Sequence, residues 1–437
     1  MLAQDIIPPP RPAADETMFG AKIVRTMTAL ATSTPAQRNT VRLLFYGQSI
    51  TAQMWSSAIT TRLKGEFPNA RLVVENRAIG GFEAERLMRT AQEDLYPFYP
   101  DLVIFQVYGG GNGEMERILL DIRRQTTAEI LISTHHVSHK GNAAIQIEFD
   151  KQSQMIRELA VKYDCELVDV RDEWKQYLAE NHLDTQDLIG DVVHLNEKGN
   201  KLMEDLVWRH LRYDKNLANP HGDQVKTIPL TPAADGSYKL DFVGNRLDVV
   251  AAPADMPRGA AKILIDGKPP SANPKAYAIT RPSPAFGRWY PALYTVGWQN
   301  LPLVEDWTLK ITEVSPDAKQ FKFTVNGSKT GPDGGGNSEE KFVSTSGRVV
   351  IDPADFCLAL AQAQSKKPCP PDFEIKWSVV PLFKDRYRAP ESKDLANPAR
   401  TTLVQLIENG PHTLQIIPEG DGAVPIKAIQ VFQPPGK

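Results

Sequence analysis

Ser49, Asp191 and His194 are the residues whose types and spacing best fit a chemistry, and that chemistry is acyl transfer. A serine hydroxyl is a poor nucleophile until a base takes its proton. The base is usually imidazole, held in one tautomer by a carboxylate. The oxyanion that develops on the attacked carbonyl needs preorganised donors. The sequence offers a candidate for each role. Ser49 follows Gly47-Gln48, where glycine lets the chain turn and present the hydroxyl. Asp191-Val192-Val193-His194 sets a carboxylate three residues before an imidazole, so one turn supplies base and orienter. Ser49 N–H, the backbone at Gly80-Gly81 and the side-chain amide of Asn112 are the oxyanion donors this reading requires, with Gly81 preferred over Gly80. Taken singly, each is ordinary: a cap serine, turn residues, a helix entry. Their order and placement carry the reading.

The placement comes from the elements. Val41–Tyr46, Arg71–Glu75, Asp101–Val107, Glu129–Ser133 and Glu166–Val170 read as strands. Residues 52–66, Glu83–Thr90, Met115–Gln125, Ala143–Tyr163 and Gly199–Leu211 read as helices. Alternating strands and helices imply βαβ units, a mostly parallel sheet and helices on both faces. Ligands in such folds bind at the carboxyl ends of the strands. Ser49, Gly80-Gly81 and Asn112 follow the first, second and third strands.

These segments resemble the sequence blocks of the SGNH (GDSL-like) hydrolase superfamily. Gly47-Gln48-Ser49 resembles its first block, Gly80-Gly81 its second, Gly110-Gly111-Asn112 its third and Asp191-Val192-Val193-His194-Leu195-Asn196 its fifth. The match covers roughly residues 41–210. It implies a three-layer α/β/α flavodoxin-like fold and ester hydrolysis through an acyl-enzyme. By resemblance Ser49 is the nucleophile, Asp191 and His194 complete the triad, and Ser49 N–H, Gly81 and Asn112 form the oxyanion hole. Two positions depart from the usual blocks: Gln48 stands where Asp is common, and Gly113 follows Asn112 in place of Asp. Gln48 occurs in some carbohydrate-ester members, which tilts the expectation toward an acylated oligosaccharide or polysaccharide, acetyl or succinyl, over a lipid. The alternatives are a non-catalytic carbohydrate-binding protein on the same fold, or a lipase or thioesterase. An α/β-hydrolase elbow is disfavoured, because Gly47-Gln48-Ser49-Ile50-Thr51 lacks its second glycine.

His135, His136 and His139 cluster after a strand. They admit three readings: a metal site without supporting ligands, substrate-pocket contacts, or plain loop histidines. The expected chemistry needs no cofactor and no metal; His135 and His136 are retained as substrate-pocket candidates. Trp55 and Trp174 read as packing residues, whereas Trp289, Tyr290 and Trp298 either stack on sugar rings or fill a core.

The 437 residues call for more than one domain. Residues 1–40 read as a Pro-rich lead-in with a short helix at 21–32, residues 41–214 as the hydrolase domain and residues 218–437 as a β-sandwich region, jelly-roll-like, of one domain or two similar subdomains. Trp307–Ile311 and His412–Ile416 echo one another, too briefly to establish duplication. Gly331–Ser338 reads as a flexible loop without the Lys-Ser/Thr of a phosphate loop. Lys and Arg total 50, Asp and Glu 53, and the net charge is −3, which gives no footprint for nucleic acid. No apolar run approaches the roughly 18 residues of a membrane span. A homo-oligomer is compatible with the sequence. Ala3-Gln4 ahead of Pro8-Pro9-Pro10 resembles the residue of a cleaved signal peptide and points to the periplasm or secretion; a cytoplasmic protein is the alternative. Cys357 and Cys369 either pair in an exported protein or stay free with Cys165.

Overall fold

The computed structural model describes residues 8–13, 15–252, 259–390, 399–420 and 422–436. The Ala3-Gln4 segment lies outside them. The chain divides into two compact units. The first holds residues up to Met88, Tyr99–Gln224 and the C-terminal end from Pro435; the second holds Arg89–Phe98 and Val225–Pro434.

Through the first unit, with α3 from Arg89 onward assigned to the second, the elements run α1 (Val24–Ala31), β1 (Thr40–Gly47), α2 (Met54–Glu66), β2 (Arg71–Asn76), α3 (Ala84–Asp94), β3 (Leu102–Gln106), α4 (Glu114–Gln125), β4 (Glu129–Ser133), α5 (Ala143–Lys162), β5 (Glu166–Val168), α6 (Val170–Glu180) and α7 (Glu197–His210). The five strands form one parallel sheet in the order β2-β1-β3-β4-β5. That is the doubly wound, flavodoxin-like order, with its switch point between β1 and β3. Successive strand residues face opposite layers. Val41, Leu43 and Phe45 join a core with Met27 of α1, Ile59 of α2 and Leu206 of α7. Tyr46 points the other way, stacks on Phe105 and donates its hydroxyl proton to the Leu87 carbonyl on α3. The result is the three-layer sandwich expected from the alternation. Helix α6 has no counterpart in the sequence reading; it starts two residues after the short strand β5, which hid the change of period. Helix α1 sits in the core through Ile23, Met27 and Leu30.

The second unit contains a jelly roll. Its strands are β6 (Val225–Pro229), β7 (Tyr238–Gly244), β8 (Arg246–Ala251), β9 (Ala260–Ile265), then, after an insertion, β17 (Arg386–Arg388), β18 (Arg400–Val404), β19 (Gly410–Glu419) and β20 (Ile426–Phe432). One sheet is ordered β17-β9-β19-β7 and the other β18-β8-β20-β6. Successive strands alternate between the sheets except at β9 and β17, which pair in one sheet, the arrangement of two Greek keys. Leu247, Val249 and Ile429 from one sheet pack with Ile263, Leu414 and Ile416 from the other.

The insertion carries β10 (Tyr277–Ile279), β11 (Asp306–Val314), β12 (Phe321–Gly327), β13 (Gly331–Asn337), the pair β14 (Phe342–Val343) and β15 (Val350–Ile351), α8 (Leu358–Ser365) and β16 (Glu374–Pro381). Its five-stranded sheet is ordered β10-β16-β11-β12-β13. Trp307 and Trp377 face each other across β11 and β16 with their rings stacked 6.5 Å apart. The echo between Trp307–Ile311 and His412–Ile416 therefore spans two different sheets. The loop expected at Gly331–Ser338 is instead strand β13, paired with β12. Glycine is required there by close approach: a Cβ at 336 would meet the Phe342 ring at 2.8 Å, and one at 335 the Phe323 carbonyl at 2.6 Å. Cys165, Cys357 and Cys369 are all buried free thiols. No helix among the described residues is long and apolar enough to cross a membrane.

Candidate active site

Ser49, Gly80-Gly81 and Asn112 follow three adjacent strands of the sheet, β1, β2 and β3. At the end of β1 a Cβ on Gly47 would lie 2.1 Å from the Gln106 carbonyl and 2.4 Å from Thr51 Oγ1, so only glycine lets β1 and β3 run this close. The chain then turns through Gln48, Ser49 and Ile50. Ala52 N–H donates to Gln48 O at 3.1 Å, and the Trp55 indole N–H donates to Ile50 O at 2.6 Å, which pins the turn to α2. Trp55 is buried, as a packing residue should be. Ser49 is half-buried, while Gln48 is buried beneath it.

Gly47 O accepts from Ile79 N–H at 2.9 Å, which extends the β1–β2 pairing and lays Gly80-Gly81 beside the Ser49 turn. Gly81 has φ of 81°, a left-handed backbone that favours glycine. Ala84 N–H donates to Tyr108 O at 3.0 Å, which ties the same segment to the loop after β3. In that loop Gly109 N–H donates to Gln152 Oε1, Gly110 N–H to Glu85 Oε1 and Asn112 N–H to Glu114 Oε2, each at 3.2 Å. These tethers hold Asn112 on the surface. Among the described residues, neither Ser49 N–H nor Gly81 N–H meets a protein acceptor.

The base pair forms within one turn. His194 Nδ1 lies 2.8 Å from Asp191 Oδ2, and Asp191 Oδ1 accepts both Val193 N–H and His194 N–H at 2.7 Å. Those hydrogen bonds, Val193 N–H first, hold the Asp191 carboxyl down at about 2. A carboxylate beside Nδ1 keeps the proton there and turns Nε2 into an acceptor. Neither His194 Nε2 nor the Ser49 hydroxyl has a hydrogen-bond partner among the described residues, so the structure joins His194 to Asp191 but not to Ser49.

His135 and His136 are fully buried. His136 Nε2–H donates to Val193 O at 2.8 Å and Nδ1 accepts from the Tyr108 hydroxyl at 3.3 Å. His135 Nε2–H donates to Val107 O at 2.8 Å, and its ring stacks on Tyr108 at 4.1 Å. Burial pushes the His136 imidazole down to about 3 and His135 to about 4, so both are neutral and suited to these bonds. His136 thus holds the carbonyl of Val193, the residue before His194. His139 N–H donates to Val192 O at 2.8 Å, a second brace on the same turn. No group of three or more His, Cys, Asp or Glu side chains among the described residues is placed to hold a metal ion.

The sequence reading missed several supports. Arg171 is fully buried and bonds Asp150 Oδ1 at 2.8 Å, His136 O at 3.2 Å and Gln146 Oε1 at 2.7 Å. Gln53 reaches the backbone of Leu195, and Asn200 bonds both Trp55 N–H and Leu195 O. The available signal was polar type at an apolar helix position, as at Asn200; nothing local marked Gln53. In the second unit Trp289 is exposed, whereas Tyr290 is buried with its hydroxyl on Gln364 Oε1 at 2.8 Å, and Trp298 is half-buried.

A part of this chain is similar to acetylxylan esterases of known structure. Axe2, an acetylxylan esterase from Geobacillus stearothermophilus, is 16% identical over 41% of this chain and 98% of that one, with a TM-score of 0.37. A catalytic mutant of Axe2 is 16% identical over 40% of this chain and 95% of that one, with a TM-score of 0.37. The acetyl xylan esterase AlAXEase is 21% identical over 38% of this chain and 98% of that one, with a TM-score of 0.34. No family model and no curated protein matches the chain.

Proposed function

We propose that the first unit is a serine esterase that removes an acyl group from a carbohydrate. The carrying observation is the His194–Asp191 pair, held by two backbone N–H groups, with His194 Nε2 unengaged among the described residues. In this reading Ser49 Oγ attacks the ester carbonyl and His194 Nε2 takes the hydroxyl proton. Asp191 stabilises the imidazolium that results. The oxyanion is received by Ser49 N–H, Gly81 N–H and the side-chain amide of Asn112; that the two backbone groups meet no protein acceptor among the described residues supports the role. Collapse expels the sugar alcohol, protonated by His194. Water then attacks the acyl-enzyme with His194 again as base; collapse breaks the Ser49 Oγ–acyl bond, releases the acid and returns the proton from His194 to Ser49 Oγ. The carbohydrate preference rests on the sequence resemblance at Gln48, and acetyl is the simplest acyl group to test.

Ser49→Ala tests the mechanism. It is expected to abolish hydrolysis of p-nitrophenyl acetate and of acetylated oligosaccharides while thermal unfolding stays unchanged. Full activity in the folded variant would sink the serine reading. Faster turnover of long-chain acyl esters than of acetyl esters would favour a lipase-like preference instead.

A further inference from the structure

We infer that Gln53 is a positioning residue, whose carboxamide holds the peptide after His194 in register with the turn that carries Ser49. The inference rests on the esterase reading and deepens it. Gln53 Nε2–H donates to Leu195 O at 2.8 Å, and Leu195 N–H donates to Gln53 Oε1 at 3.0 Å. One side chain thus satisfies both backbone groups of the residue next to the base, as a neighbouring strand would. Gln53 belongs to the hydrogen-bonded turn of Ser49: its N–H donates to Ile50 O at 3.2 Å, one residue past Ser49. A second carboxamide supports the first. Asn200 Oδ1 accepts from Trp55 N–H at 3.1 Å and its Nδ2–H donates to Leu195 O at 3.2 Å.

The other partners of the His194 turn fix that turn without reaching the serine. Asp191 holds Val193 N–H and His194 N–H, His136 holds Val193 O, and His194 O accepts from Gly190 N–H at 2.8 Å. Gln53 and Asn200 link it to the segment that holds Ser49. Loss of the Gln53 clamp leaves the Asp191–His194 pair intact and loosens its distance to the nucleophile. Proton transfer depends steeply on that distance, while ground-state binding of an ester does not. The loss therefore falls on kcat.

The test uses the full chain and the variants Gln53→Met and Gln53→Glu. Three readouts are taken: kcat and KM on p-nitrophenyl acetate from pH 5 to pH 8, the rate of Ser49 labelling by a fluorophosphonate, and hydrogen exchange at the Leu195 amide. Gln53→Met, which keeps length and loses both bonds, is expected to lower kcat about tenfold to a hundredfold with KM within about twofold. Labelling slows by the same factor, and Leu195 exchange speeds up. Gln53→Glu donates to Leu195 O only when protonated. Its kcat relative to wild type is expected to rise as pH falls, a signature that a purely structural role would not produce. Wild-type kcat and labelling rate in Gln53→Met, with Leu195 exchange accelerated, overturn the positioning role and leave the esterase reading standing. A wild-type protein that is not labelled at Ser49 overturns the esterase reading, and the positioning role with it.

Discussion

Asp191→Asn separates the orienting role of the carboxylate from its mere presence. Asp191 Oδ1 accepts two backbone N–H groups at 2.7 Å, so an asparagine at this position must place its carbonyl oxygen there. Its NH2 then occupies the place of Oδ2, 2.8 Å from His194 Nδ1. A donor at that place forces Nδ1 to accept and moves the imidazole proton to Nε2, the atom that takes the serine proton in the proposed mechanism. Restoring the useful tautomer requires the amide to flip. The flip gives up two hydrogen bonds, each worth about 0.5–1.5 kcal/mol. The negative charge that stabilises the imidazolium is lost as well. The side chains of His194 and Asp191 are 42% and 56% exposed, so this pair lies between the water and protein-surface limits, about 1–4 kcal/mol. The sum is about 2–7 kcal/mol. A central value of about 4 kcal/mol corresponds to roughly a thousandfold in kcat. Asp191→Ala loses the charge but lets water accept from Nδ1–H, so it is expected to be at least as active as Asp191→Asn. The assay is kcat on p-nitrophenyl acetate for both variants, with KM and thermal unfolding as controls. An asparagine variant within a few-fold of wild type, or well above the alanine variant, would refute the tautomer argument.

Two further outcomes test the scaffold. Gly47→Ala is expected to destabilise the protein by about 1–3 kcal/mol or more, because its Cβ would lie 2.1 Å from Gln106 O. Gly65→Ala, in α2 with nothing within 4 Å of its Cβ, is expected to stabilise by about 0.5–1 kcal/mol; urea midpoints that move together would count against the crowding argument. Stability should also fall with acid through the buried histidines. His136 titrates at about 3 in the fold and His135 at about 4, whereas an unfolded imidazole titrates near 6.5. The unfolded chain therefore binds more protons below pH 6.5. The contribution is fully present above that pH and is lost as pH falls toward 4 and then 3, at about 1.4 kcal/mol per pH unit per group. His136→Gln should show a shallower slope than wild type between pH 6 and pH 4.5 by about that amount, read from urea unfolding; equal slopes would remove His136 from the account.

What the sequence by itself determined is local. The α/β alternation, the strand ends that carry Ser49, Gly81 and Asn112, and the pairing of Asp191 with His194 are all visible within a few residues. Each depends on a period, a turn or a three-residue spacing. A parallel sheet then brings strand ends together whatever the details, which is why the candidate residues could be placed at strand ends before the fold. What only the tertiary structure decided is long-range. Gln53 and Leu195 are 142 residues apart, and no local pattern announces their two hydrogen bonds. His135 and His136 sit next to a strand end, where polar residues usually face solvent; only the packing of Tyr108, Phe149 and Arg171 around them makes them buried and neutral. Gly331–Asn337 has the composition of a loop and becomes a strand because β12 offers an edge too close for side chains. The jelly roll has a five-stranded sheet inserted between its fourth and fifth strands, and strand propensity cannot choose a partner across that gap. Side-chain type and short spacing suggested the chemistry proposed for Ser49, Asp191 and His194; the distances that would make it work belong to contacts the chain makes with itself at long range.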